Sequence, residues 1–190
     1  MPVTELDPVT ALLVVDLQKG VMTLPVQPSP ESVLANAVRL VDAFRAHGLP
    51  VVLINATGGA PGRTESRSAM AAAARPEGWD QLVPELGARD DDILISKRTW
   101  GAFHGTGLDD RLRERGVTQV VVVGIATSAG VESTARAAHE HGYHVTLATD
   151  AMGDRSLELH GHSVTAILPR MAETGTTDEV LSLLEATRTA

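Results

Sequence analysis

Gly116–Gly142 reads GVTQVVVVGIATSAGVESTARAAHEHG, and it contains one complete structural unit. Gln119–Gly124 is short, β-branched and unalternating, the pattern of a strand buried on both faces of a parallel sheet. A turn over Gly124–Gly130 follows. Ser133–His141 is then alanine-rich and stops at Gly142, as helices that close on a left-handed residue do. A strand that turns directly into a helix is the repeating element of an α/β protein.

The same rhythm extends outward in both directions. Ala11–Asp16 (ALLVVD), Pro50–Ile54 (PVVLI), Asp92–Ile95 (DILI) and Tyr143–Thr149 (YHVTLAT) have the composition of buried parallel strands, and a short strand is expected near Met171–Thr174. Between them, Pro30–His47 places Val33, Leu34, Ala37, Val38, Leu40, Val41 and Phe44 on one helical face ahead of Gly48. Leu108–Arg115, Leu157–Leu168 and Thr177–Thr187 supply further helices, the last capped by Thr177 or Asp178. This alternation predicts a three-layer, Rossmann-like, doubly wound parallel sheet of about six strands, with helices on both faces and right-handed crossovers. The length suits a single domain over residues 1–190. Thr57–Asp90 reads as an irregular excursion with a short helix over Ser68–Ala74, of the kind that covers a pocket or mediates subunit contacts.

Composition excludes several functions. A formal net charge of −8 lacks the basic face that nucleic acid or an anionic membrane requires. No apolar run approaches the ~18–20 residues of a membrane span, and MPVTELDPVT at the start has neither part of a secretory signal. The absence of cysteine removes disulfides, thiolate metal sites and thiol nucleophiles, and fits a cytoplasmic protein.

Open parallel sheets bind ligands at the carboxyl ends of their strands. Asp16, Asn55, Lys97 and the Gly124–Gly130 turn all fall at such ends. A carboxylate closing an apolar strand is costly to bury unless it is paired or used; alternatively it caps a neighbouring loop. A lysine after a strand is most often simply solvated. Entry of the turn into a helix would aim the amides of Ala129, Gly130 and Val131 at the site, favouring negative charge there. Trp100 and Phe103, two of five aromatic residues, either wall a pocket or plug the core. Gln18 shares a face with Asp16 if the strand persists that far. These readings give Gln18, Asn55, Trp100, Phe103, Ala126 and Thr127 as candidate substrate contacts. No metal or cofactor is expected. His139/His141 and His160/His162 are spaced i, i+2, which is not a shared helical face, and all four read as structural or solvated. Glycine-rich nucleotide loops and a G-x-S-x-G elbow are absent, and Ser128 and Ser133 show no His–Asp relay.

Four segments carry a resemblance across nearly the whole chain: VVDLQ at Val14–Gln18, SKRTWGAFHGT at Ser96–Thr106, GIATSAGVESTARAA at Gly124–Ala138 and PRMAETGTTDEVL at Pro169–Leu181. Together they resemble the isochorismatase-like hydrolase superfamily, also called the cysteine hydrolases. Members carry an aspartate on the first strand, a lysine after a middle strand and a nucleophilic cysteine in a G-x-x-T-x-x-C-V turn. Asp16 and Lys97 match the first two, whereas Gly130 stands at the third. The resemblance also implies a cis peptide at Ile125–Ala126 and assembly into dimers or tetramers. Nicotinamidase-like members hold a metal through a D-x-H-type cluster after the second strand; INATGGAPGRTES here has no such residues.

Isochorismatases proper are the members with glycine at the nucleophile position. For Asp16, Lys97 and Gly130 this implies hydrolysis of a vinyl ether in a small anionic molecule. Asp16 would be the general acid, Lys97 would hold a substrate carboxylate, and Gly130 would leave room where a thiol would stand. The turn around Gly130 nonetheless looks closer to the cysteine-bearing branch. Metal-free hydrolysis of an amide with Asp16 as base, or a retired small-molecule-binding protein, are the alternatives. For the acid role, burial must outweigh the neighbouring ammonium, which favours the ionised carboxylate.

Overall fold

A computed structural model describes residues 3–65 and 75–189. Strands β1 (Thr10–Val15), β2 (Val51–Ala56), β3 (Ile93–Lys97), β4 (Gln119–Ile125), β5 (His144–Gly153) and β6 (Glu173–Gly175) form one parallel sheet in the order β3-β2-β1-β4-β5-β6. From β1 the chain winds outward through β2 and β3, then returns to the other side of β1 for β4. The winding direction therefore reverses between β1 and β4, and the loops leaving those two strands diverge around a crevice.

Alternation along β1 between two covered faces explains why it is buried throughout. Leu12 and Val14 join Leu53, Val121 and Val123 in one core, under Val33, Leu40, Val41 and Phe44 of α2 (Pro30–Ala46) and under Val180 and Leu184 of α6 (Thr177–Thr189). Ala11, Leu13 and Val15 face the other way, against Leu108 and Leu112 of α3 (Leu108–Arg113) and Ala135 and Ala138 of α4 (Glu132–Glu140). Helices cover both faces, as the unalternating strands required. No helix among the described residues is long and apolar enough to cross a membrane.

Several local expectations change. β3 does alternate, leaving Leu94 exposed, because it is an edge strand. β1 ends at Val15, so Asp16 lies beyond the strand with φ 56°, and strand pleating does not place Gln18. A short helix, α1 (Lys19–Met22), follows where none was expected. The expected helix Leu157–Leu168 divides into α5 (Leu157–His162), a wide π turn at Ser163–Ile167 and a 3-10 turn at Leu168–Arg170. Of the excursion after β2, residues 75–87 return along the β1–α1 loop, through Lys19 N to Gln81 O (2.8 Å), Gly20 N to Trp79 O (2.9 Å) and Val83 N to Leu17 O (3.2 Å). The helix expected over Ser68–Ala74 lies outside the described residues.

At the crevice itself, β1 and β4 approach closely at Gly124. Its φ is 123°, and a methyl group there would lie 2.0 Å from the Val15 carbonyl oxygen. Gly124→Ala combines a disfavoured φ with backbone overlap. It should therefore destabilise by at least the upper part of the about 1–3 kcal/mol typical of overpacking. Urea unfolding against the wild type measures this, and a change under about 0.5 kcal/mol, the range of neutral surface substitutions, would contradict it.

Candidate active site

The site starts from the way β1 ends. The Asp16 amide still bonds to Ile54 O of β2 at 2.9 Å, after which the left-handed backbone turns its side chain into the crevice. From β3, two strands away, Lys97 extends beneath the sheet end. Its ammonium donates to Asp16 Oδ2 at 2.7 Å and to the Thr99 carbonyl at 3.2 Å. Lys97 is 2% exposed and Asp16 7%. The fold thus brings together two residues 81 positions apart.

Two opposing effects act on Asp16. Burial disfavours the carboxylate, whereas the charge and the hydrogen bond of Lys97 favour it. Burial is the larger, and the pKa is raised from 3.8 to about 6. The reason is visible in the second carboxyl oxygen. Oδ1 is buried and has no hydrogen-bond partner among the described residues. Half of the carboxylate is therefore deprived of water without replacement, and a proton is best accommodated there.

Gly130 faces this pair but does not leave open space. A methyl group built on it would lie 3.0 Å from Asp16 Oδ2, 3.1 Å from Val15 Cγ1 and 3.6 Å from the Trp100 carbonyl oxygen. The Asp16 carboxyl and the Val15 side chain close over the glycine. The turn departs from expectation as well. Thr127–Val131 forms a wide π turn after a cis peptide at Ile125–Ala126. The Ala129 and Val131 amides both donate to Ala126 O, at 3.2 and 3.1 Å, so they are not available as donors into the site.

The remaining candidates divide. The Gln18 carboxamide is engaged with backbone: Nε2 donates to Ala56 O (3.1 Å) and Trp79 O (3.2 Å), and Oε1 accepts from Ala56 N (2.7 Å). Asn55 donates to Asp80 O and accepts from Ser96 Oγ, both at 2.8 Å. Both residues stitch strand ends to the returning excursion. The Phe103 ring stacks on His141 at 5.1 Å and tilts against Tyr143 at 6.0 Å, which makes it core. Trp100 contributes its carbonyl beside Gly130 while its side chain is exposed. Ala126 accepts the turn's hydrogen bonds, and the buried Thr127 hydroxyl lies 2.8 Å from His160 Nδ1. Ser128 N donates to Asp154 Oδ2 at 2.6 Å. Neither Asp154 nor His160 lies in a segment that suggested chemistry, and the i, i+2 histidine spacing pointed away from His160. Among the described residues no three His, Cys, Asp or Glu side chains converge as a metal site.

Residues 10–179 match the isochorismatase domain family. This chain belongs to the isochorismatase family of hydrolases. It is similar to the isochorismatase family protein YwoC of Bacillus subtilis (strain 168), with 42% identity over 177 residues covering 90% of this chain and 92% of that protein. It is also similar to the ureidoacrylate amidohydrolase RutB of Pseudomonas syringae, at 34% identity over 155 residues, 67% of this chain and 63% of that one. Among solved structures, an isochorismatase family protein from Burkholderia thailandensis superposes with a TM-score of 0.87 at 36% identity, covering 95% of this chain and 98% of that one. In this hydrolase Asp16 and Lys97 stand together while the chain contains no cysteine.

Two measurements probe this geometry. With 13C-labelled aspartate, the Asp16 carboxyl should titrate near 6, and higher still in Lys97→Met, because the lysine lowers the value. A midpoint near 4 in the wild type would show that burial does not dominate. Separately, a methyl group at Gly130 would lie 3.0 Å from Asp16 Oδ2, so a Gly130→Cys thiol would stand beside both the carboxylate and its Lys97 partner. Its reaction with iodoacetamide at neutral pH should slow when Lys97→Met is added, since the ammonium lowers thiol pKa; an unchanged rate would place the turn away from Lys97.

Proposed function

We propose that this hydrolase cleaves a vinyl ether in a small anionic metabolite by proton transfer from Asp16, with no covalent enzyme intermediate. One observation supports this above others: a buried carboxyl whose pKa is raised to about 6 beside a lysine, with one oxygen unpartnered. A general acid works best when its pKa approaches the working pH. The chain also lacks a cysteine to open a two-step route.

In this mechanism the Asp16 proton resides on Oδ1, because Oδ2 accepts from Lys97. It passes to the terminal vinyl carbon, where the π electrons form the new C–H bond and leave an oxocarbenium ion. Water adds to that cation and the resulting hemiketal collapses, breaking the C–O bond to give a ketone and an alcohol. The proton released by water restores Asp16. Lys97 stabilises the carboxylate formed in the first step, so the ammonium that lowers the resting pKa also assists proton departure. Asp16, Lys97 and Gly130 form the centre, with Trp100 and Ala126 bordering the substrate and the buried Thr127 holding the turn behind Gly130. Gln18, Asn55 and Phe103 support its walls.

The similarity to a ureidoacrylate amidohydrolase motivates a second reading, in which ionised Asp16 is a base that directs water onto an amide. The two readings predict opposite pH dependence. An acid role requires the protonated form, so kcat/KM falls as pH rises through about 6; a base role makes it rise there. Isochorismate and a panel of small amides should be assayed across that range. Asp16→Asn should lower turnover by about 10²–10⁴-fold. In deuterated water, a vinyl-ether substrate should release pyruvate carrying one solvent deuterium in its methyl group. An acyl- or alkyl-enzyme adduct detected by mass spectrometry, or undiminished turnover in Asp16→Asn, would eliminate this mechanism. Absence of turnover with every compound would favour a binding protein.

A further inference from the structure

The turn carrying Gly130 is gripped at two adjacent residues by one segment of chain. Asp154, directly after β5, accepts from Ser128 N on Oδ2 at 2.6 Å and from Arg155 N on Oδ1 at 2.7 Å. It is 2% exposed. Six residues later on α5, His160 Nδ1 lies 2.8 Å from the hydroxyl of the fully buried Thr127. Partial burial lowers the His160 pKa against the opposing charge of Asp154. The neutral imidazole this favours has one acceptor nitrogen, suited to the Thr127 O–H.

This segment is itself anchored. Gln27 and Asp154 exchange backbone hydrogen bonds, Gln27 N to Asp154 O at 2.7 Å and Asp154 N to Gln27 O at 3.1 Å. On its far side the turn is held by Thr134. The Thr134 hydroxyl donates to Gly130 O at 2.6 Å and accepts from Ala102 N at 3.2 Å, which links the turn to the loop that follows Lys97.

We propose that Asp154 and His160 are positioning residues of this hydrolase: they set the Thr127–Val131 turn so that Gly130 lies directly against the Asp16 carboxyl. The spacing leaves little tolerance. A single methyl group at Gly130 would come within 3.0 Å of Asp16 Oδ2, so the turn packs directly on that carboxyl and helps to exclude water from it. If either grip is released, the turn can move away from Asp16 until the gap holds a water, which needs room for about one water-sized probe sphere. Burial is the largest effect on its ionisation, so hydration must move the titration downward, toward the ordinary carboxylate range. A residue that merely stabilised the fold would lower the melting temperature and leave that titration in place. The inference concerns the geometry of the site and holds whichever reaction Asp16 performs.

The test follows Asp16 by carbon NMR in full-length protein labelled with 13C-aspartate, with thermal unfolding measured on the same samples. His160→Ala and Asp154→Asn should each lower the Asp16 midpoint by about one unit or more, a roughly tenfold loss of the protonated fraction at neutral pH. His160→Asn returns a polar group near the Nδ1 position and should keep the wild-type midpoint. Thr127→Val removes the same hydrogen bond from the other side with almost no change in shape, and should reproduce His160→Ala. Because His160 is half-buried, its variants are expected to fold; if His160→Ala does not, Thr127→Val decides the matter. An unchanged Asp16 midpoint in the folded variants, with or without a loss of thermal stability, overturns the proposal. So does a midpoint in His160→Asn that falls as far as in His160→Ala.

Discussion

The site depends on a buried ion pair that is not fully compensated. Lys97 and Asp16 meet at 2.7 Å in surroundings that exclude water from both. In bulk water such a contact contributes little, and the carboxyl would titrate as an ordinary aspartate. Removing water strengthens the attraction and raises the cost of holding the charges, and the second effect is the larger when hydrogen bonds do not replace the lost hydration. Here they do not, since one Asp16 oxygen has no partner. The pair therefore sits near the balance between its ionised and protonated forms, where proton transfer in either direction is accessible.

The architecture maintains this balance. Asp16 follows the central strand β1, and Lys97 closes the edge strand β3, so the lysine must extend past the end of β2 to reach it. Gln18 and Asn55 occupy the intervening positions by bonding backbone at the β2 end and on the returning excursion. Across the crevice, β4 approaches β1 closely at Gly124, which brings the Thr127–Val131 turn over the carboxyl. A second buried ion pair, Arg45 with Asp92 at 2.5 Å, differs in an instructive way. Arg45 also donates to Leu86 O, and Asp92 also accepts from Arg89 N, so its polar atoms are satisfied and it pins α2 to the entry of β3. Burial is alike in the two pairs. The difference lies in hydrogen-bond completeness.

Gly130 has a different significance in three dimensions from the one it has as a substitution in a motif. Read along the chain, it is a missing side chain and suggests vacant space. In the fold, the Asp16 carboxyl and the Val15 side chain lie close enough that a methyl group would be crowded. The absence of a side chain therefore lets the acid pack directly on the backbone of the turn, which contributes to its desolvation.

Much of the architecture was legible in the chain because it rests on local, additive preferences. The β-branched runs of β1, β2 and β4, the apolar face of α2 and the glycine-marked helix ends specify a doubly wound sheet whose strand ends lie together; grouping Asp16 with Lys97 rested in addition on the resemblance of their local sequences to the isochorismatase-like hydrolases. Tertiary structure decided what depends on competition between neighbours. Whether burial or Lys97 dominates at Asp16 is set by how completely the surrounding fold removes water from the carboxyl, one oxygen of which is left unpartnered, and no local pattern encodes that. Phe103 became core because Tyr143 and His141 arrive beside it from positions 40 and 38 residues later. The Ala129 and Val131 amides lost their expected role because a π turn, rather than an α-helical start, directs both onto Ala126. Asp154 and His160 gave no signal in sequence, since their partners are defined by the path of β5 and α5 over the turn. Backbone preference and burial pattern are properties of short segments, whereas the protonation balance of a buried pair belongs to every group that surrounds it.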